Sequence, residues 1–381
     1  MKKFLDCISI VGATPSKFHG TKKYVSTGAV ATTEIDESEV VEVTYEDRPS
    51  RANQSAEAGD ILFAKMQGTR KTLLLDSETE KNIYSTGFYA VRANPEVITT
   101  ECLYYLIDSE LFLAQKDKNC SGATQKAITN GGMAKIEISV PALSEQGILV
   151  DKLKHLTQLI SDKKKQLNLF DEIIKSRFIE MFGDPKLNPR KWDMVTIGDI
   201  ATDVRYGTSR PATEGGKYPY LRMNNLTYEG YLDLTDLKHI DIPDNEIEKC
   251  VVRNGDVLFN RTNSVELVGK TCVYNLDSDM IIAGYIIRVR IDDRVLPVIL
   301  SSYLNSTVMK EQLRSMAKGA VNQANINAQE LRSISIYLPP ITLQHKFATF
   351  VEQVDKSKFE IQQSLEKLEI LKKSLMQQYF G

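Results

Sequence analysis

The sequence predicts an α+β protein with an internal pseudo-two-fold repeat: two mixed α/β globules separated by two long helices that pair as an antiparallel coiled coil. Three observations predict it. Ile136, Ile138, Pro141 and Gln146 line up with Ile334, Ile336, Pro339 and Gln344, and Phe182-Gly183 lines up with Phe380-Gly381, since 380 − 182 = 198. Each set precedes a long charged stretch whose apolar residues follow a heptad. Before each stretch lie short strand-like runs between Gly, Asn, Asp and Pro signals. A two-copy unit of globule plus helix suggests a scaffold with two similar ends.

Taken in order, residues 1–143 read as the first globule. Val40-Val41-Glu42-Val43, Ile61-Leu62-Phe63 and Phe88-Tyr89-Ala90-Val91 are its strands, and residues 100–113 are helical. Gly59-Asp60-Ile61-Leu62-Phe63 returns in the second globule, residues 184–341, as Gly255-Asp256-Val257-Leu258-Phe259. Val251-Val252 and Tyr285-Ile286-Ile287-Arg288-Val289 are further strands there, with a helix over 296–313. Residues 144–183 and 342–381 are the long helices. The first has one seam of Leu153, Ile160, Leu167, Ile174 and Met181, and a second of Leu149, Leu156, Lys163, Phe170 and Arg177. Val354, Ile361, Leu368 and Leu375, with Phe347, form the counterpart seam of the second helix, beside Val351, Lys358, Leu365, Lys372 and Tyr379. Prolines punctuate the starts and Gly183 the first end. A 39-residue helix is about 57 Å long. Two such helices can pair antiparallel within one chain or pair with another protein. The seam lysines read as long stems that snorkel out of a tolerant interface. Lys163 falls where the other helix has Ile361, and Lys358 where the first has Ile160, so a role in fixing register is the sharper reading.

At 381 residues the chain has room for two or more real cores. Its net charge of −2 argues against binding nucleic acid through bulk charge alone, although balanced totals can hide a basic face. Five dispersed cysteines without a Cys-x-x-Cys pair read as reduced thiols, and no apolar run approaches the roughly 20 residues of a membrane span. Both point to a cytoplasmic protein. No catalytic residue or metal ligand set emerges. Val268-Gly269-Lys270-Thr271 imitates the tail of a phosphate-binding loop, but position 264 is Ser264 where that loop needs glycine. His19, His155, His239 and His345 are isolated from one another and from the cysteines. Asp292-Asp293 reads as solvated loop charge.

One ordered set of motifs is specific. Leu187-Asn188-Pro189-Arg190-Lys191-Trp192 is followed by Ile197-Gly198-Asp199-Ile200, Tyr206-Gly207-Thr208-Ser209 and Tyr218-Pro219-Tyr220-Leu221-Arg222-Met223-Asn224-Asn225-Leu226. With the Gly-Asp strand, the Ile-x-Ile-x-x-Pro segment and the duplicated helices, the whole chain resembles the specificity subunit of a type I restriction–modification enzyme. The resemblance implies two target-recognition domains, each reading one half of a split DNA sequence. It implies helices that set the spacing and dock two methyltransferase subunits, restriction subunits that join that core, and no catalytic centre or cofactor in this chain. The assembled complex would use S-adenosylmethionine, and ATP with magnesium for restriction. The first half departs from the pattern. It lacks an equivalent of Asn188–Trp192, and Tyr24-Val25-Ser26-Thr27-Gly28 stands where Tyr220-Leu221-Arg222-Met223-Asn224 stands.

Base reading needs forked or amide side chains, and phosphate contact needs loop cations. Lys65, Gln67, Thr69, Arg70 and Lys71 follow the Gly-Asp strand of the first globule, with Lys17, Lys22 and Lys23 upstream. Asn260, Arg261, Thr262 and Asn263 follow the same strand of the second, with Arg205, Tyr206, Arg210 and Arg222 upstream. Ordinary solvated loops are the plain alternative for any one of these. Ser121-Gly122-Ala123-Thr124-Gln125-Lys126 and Lys318-Gly319-Ala320-Val321-Asn322-Gln323 are alike between copies, which suits a structural turn or a shared partner contact better than sequence reading.

Overall fold

The computed structural model describes residues 1–320 and 323–381; Val321 and Asn322 of the duplicated loop lie outside the described residues. Two compact units are present. The first joins 1–164 to 363–381, and the second is 165–362.

In the first unit a four-stranded antiparallel sheet runs in the order Ile8–Val11, Phe88–Ala93, Ile61–Ala64, Thr72–Leu74. A second sheet has the order Val41–Val43, Lys22–Val25, Ile83–Ser85, Ala52–Gln54, with the middle pair parallel. The second unit repeats both orders. One of its sheets is Ala201–Tyr206, Ile286–Ile291, Val257–Asn260, Thr271–Val273; the other is Lys238–Ile240, Tyr218–Leu221, Met280–Ile282, Val251–Val252, again with a parallel middle pair. The sequence repeat is therefore a repeat of topology.

The Gly-Asp motif has a physical account in both copies. Gly59 and Gly255 adopt φ of +88° and +92°, which side-chain-bearing residues rarely take. The aspartate then closes the turn: Asp60 accepts from the Glu57 N–H at 2.8 Å and Asp256 from the Arg253 N–H at 2.9 Å. Each buried carboxylate also pairs with an arginine of the neighbouring strand, Arg92 Nε at 2.7 Å and Arg290 Nε at 2.8 Å. The strand that follows is buried on both faces. Ile61 and Phe63 enter a core with helical residues such as Leu103 and Phe112, while Leu62 and Ala64 enter a core with Val25 and Tyr84. Val257 and Phe259 are separated from Leu258 in the same way.

The long helices run Leu143–Phe182 and Ile341–Phe380. Gly183, at φ +88°, ends the first. In the first unit Leu149, Val150 and Leu153 from the start of one helix share a core with Met376 and Phe380 from the end of the other. In the second unit Phe178 and Phe182 pack on Phe347, with ring centroids 5.5 Å apart in both contacts. Start meets end in each case, so the helices pair antiparallel within one chain. Leu153 and Val354 are buried, and Ile160, Leu167, Ile174, Ile361, Leu368 and Leu375 are half-buried, so the heptad seams face inward.

Lys358 departs from the snorkelling expectation. It is buried, its Nζ lies 2.6 Å from Asp171 of the other helix, and it sits 3.6 Å above the Tyr231 ring. A buried ammonium with both a carboxylate and an aromatic face is held, which is the register-fixing arrangement. No helix among the described residues is long and apolar enough to cross a membrane, and no cluster of His, Cys, Asp and Glu among them could hold a metal ion.

Candidate nucleic-acid interface

In the first unit the loop after Ile61–Ala64 is shaped by a residue the sequence reasoning missed. Lys116, 1% exposed, donates to the carbonyls of Met66 at 3.0 Å and Thr69 at 2.7 Å. Its signal in the sequence was a lysine four residues after Phe112, on the apolar face of the helix Glu110–Lys118. On that loop Gln67 donates through Nε2 to the Asp117 carbonyl at 3.2 Å. Arg70 forms a two-pronged pair with Asp108, both contacts at 2.9 Å, and this carboxylate holds the guanidinium still more firmly protonated. Lys71 donates to the Thr27 carbonyl at 2.6 Å. Lys65 donates to the Thr86 carbonyl at 2.8 Å and lies 4.4 Å from the Tyr89 ring centroid, where burial pulls its pKa down. Lys17 pairs with Glu46 at 3.6 Å, Lys23 with Glu37 at 2.7 Å, and Lys22 lies over Phe18.

In the second unit Arg205 pairs with Asp203 at 2.8 Å. Arg210 makes two contacts to Glu246, at 2.7 and 3.1 Å, and Arg222 pairs with Asp236 at 2.7 Å. The last two flank the strand Tyr218–Leu221, on a different sheet from the loop after Val257–Asn260. Asn260 does not serve as a base reader. It is fully buried, its Nδ2 donates to the carbonyls of Thr262 and Tyr285 at 3.1 and 3.0 Å, and its Oδ1 accepts from Asn263 Nδ2 at 2.8 Å. The last residue of a strand buried on both faces must satisfy its amide internally, and Asn263 spends a donor on the same tie. Arg261 is different. Its guanidinium lies 4.7 Å from the Tyr206 ring centroid and has no hydrogen bond or ion pair among the described residues.

Four of the five candidate arginines are thus paired with carboxylates. The Arg70–Asp108 and Arg210–Glu246 pairs each sum to zero local charge, whereas Asp203 is shared with Arg288 and Asp236 with Lys238, so those two clusters each keep one positive charge. Lys65, Lys71 and Arg261 keep their charge without a carboxylate partner among the described residues.

Two copies of one α/β globule, each rooted in the same pair of helices, define a two-part recognition scaffold. The family model "Type I restriction modification DNA specificity domain" matches residues 10–169 and 189–372, and the chain belongs to this family of non-catalytic DNA-recognition subunits. It is 23% identical over 323 residues to the type I restriction enzyme EcoKI specificity subunit of Escherichia coli (strain K12), covering 80% of this chain and 69% of that protein. The StySPI specificity subunit of Salmonella potsdam is 22% identical over 353 residues, covering 87% and 76%. The putative MjaX specificity subunit of Methanocaldococcus jannaschii is 29% identical over 196 residues, about half of each chain. The fold is shared with a chain from the structure on complex assembly and conformational transition of the type I R-M system, at TM-score 0.57 and 21% identity, covering 98% of this chain and 97% of that one. It is shared too with the restriction–modification S subunit from M. genitalium, at TM-score 0.54 and 13% identity, covering 100% and 95%.

Proposed function

We propose that the chain selects one bipartite, asymmetric sequence in double-stranded DNA and presents it to an adenine methyltransferase. Residues 1–143 and 184–341 are the two target-recognition domains, and 144–183 and 342–381 are the spacer helices. Two methyltransferase subunits dock on this framework, restriction subunits join them, and the assembly works in the cytoplasm. S-adenosylmethionine, and ATP with magnesium, belong to those partners. One observation carries the reading: the same topology appears twice, with different side chains on the loop after the Gly-Asp strand, Gln67 and Arg70 in one copy and Asn263 in the other. Two readers of unlike half-sites require this combination. Replacing residues 184–341 with the equivalent domain of a relative should change one half of the methylated motif and leave the other intact, as read by a genome-wide map of methylated adenines. An unchanged motif would sink the reading.

A further inference from the structure

Lys65 and Arg261 occupy one structural position. Each is the first residue after the central strand, and its N–H donates across the sheet, to Gly87 O at 2.9 Å in one copy and to Tyr285 O at 2.9 Å in the other. Each carbonyl accepts from an isoleucine N–H, Ile128 and Ile326, both at 2.9 Å. Each cation lies over a tyrosine ring, but the tyrosines come from different strands. Tyr89 is on Phe88–Ala93, whereas Tyr206 ends Ala201–Tyr206 and lies across from Ile287, the counterpart of Tyr89. Both hydroxyls reach the first residue of the same short helix: Tyr89 donates to Asn130 Oδ1 at 2.8 Å, and Tyr206 accepts from the Ala328 N–H at 2.8 Å. The helices are Asn130–Met133 and Ala328–Arg332, 198 residues apart.

A cation on an aromatic platform is therefore built twice from different residues. What the two copies keep is a positive charge at a fixed place without a carboxylate partner among the described residues. What they do not keep is donor geometry, since an ammonium is a point charge and a guanidinium a planar fork. Base-edge recognition depends on that geometry, whereas phosphate contact depends on charge. We propose that Lys65 and Arg261 are phosphate anchors, one for each half of the target, and that they carry no sequence information. The inference rests on the DNA-recognition reading above and assigns these two residues a role distinct from base reading.

The test uses the complex with its methyltransferase and a duplex containing the mapped motif. Lys65→Ala and Arg261→Ala should each weaken binding roughly tenfold, to that duplex and to unrelated duplexes alike. Each should also lower the slope of log affinity against log salt by about 1. The methylated motif should not change, and Lys65→Arg and Arg261→Lys should restore both affinity and slope. Relaxed specificity at one base of one half-site would make the residue a base reader and overturn the proposal, as would an unchanged salt slope. A wild-type complex that methylates no split motif would overturn the functional reading itself, a result distinct from either.

Discussion

Ion pairing sorts the cations of this chain into structural and available groups, and no sequence pattern exposes that division. Arg70 and Asp108 are 38 residues apart, as are many unpaired residues, and Arg210 finds Glu246 only because its loop meets the helix Asp244–Cys250. What was legible was the residue type a DNA loop needs; which charges survive folding was not. Lys310 shows the cost of a buried cation. It is 4% exposed, donates to the Gly269 carbonyl at 3.2 Å and lies 4.8 Å from the Tyr228 ring. Burial chiefly, then the like charges of Lys270 and Arg314, pushes its pKa down to about 7, with Lys175 adding to this and Glu229 opposing it. The folded value thus lies below the unfolded one of roughly 10.4. Between the two the unfolded chain binds more protons, so this residue's contribution to stability rises with pH across that window. Below pH 7 the full penalty is present. Lys310→Met should therefore stabilise the second unit by roughly 1–3 kcal/mol at pH 6, and the gain should shrink towards pH 10. Denaturant midpoints of both proteins at the two pH values check this; a gain that grows with pH would contradict it.

At the scale of elements, the repeat motifs were legible because each does a local job that few residues can do. Gln146 and Gln344 were visible only as a matched pair. In the structure both are fully buried and staple the start of a long helix to its globule. Gln146 accepts from the Thr99 N–H at 2.7 Å and donates to the carbonyls of Val97 and Pro141, both at 3.0 Å. Gln344 accepts from the Leu296 N–H at 2.8 Å and donates to Arg294 and Pro339 carbonyls at 3.0 and 2.8 Å. Removing either leaves three backbone groups without partners in a dry place. Gln146→Ala should cost the first unit about 3 kcal/mol, and Gln344→Ala the second a similar amount. Glutamate should not rescue, because a carboxylate cannot donate to the two carbonyls. Hydrogen exchange resolved by unit would show the loss confined to one of them; a uniform loss would refute the stapling role. The heptads were equally legible, since their period survives a lysine on the seam. The sheets were not. Strands of two to six residues leave order and sense to long-range pairing, and nothing local announces that Lys22–Val25 runs parallel to Ile83–Ser85.

The molecule as a whole is less divisible than its domain plan suggests. Read along the chain, it falls into 1–183 and 184–381, two globule-plus-helix halves. Read through its cores, it falls otherwise, because each long helix is shared. The first unit takes Leu375, Met376, Tyr379 and Phe380 from the second half of the chain. The second unit takes Ile174, Phe178, Met181 and Phe182 from the first half. The cores between the two sheets of each globule are complete within one half, but the core that holds the long helices is incomplete in either half. Burial of an aromatic or aliphatic side chain contributes about 1.5–3 kcal/mol, so a half expressed alone forfeits several such contributions against a total stability of roughly 5–15 kcal/mol. A break between Gly183 and Asp184, by contrast, cuts only a loop after a helix end. Fragments 1–183 and 184–381 expressed together should co-purify as a stable pair and unfold close to the intact chain. Each alone should be poorly soluble or should associate with itself through its exposed seam. Replacing Phe178, Phe182, Met376 and Phe380 with alanine in the split protein should abolish co-purification. If the split halves remained fully stable apart, the shared cores would not be what holds the two copies in one protein. The repeat would then be two domains on a string rather than one interlocked pair.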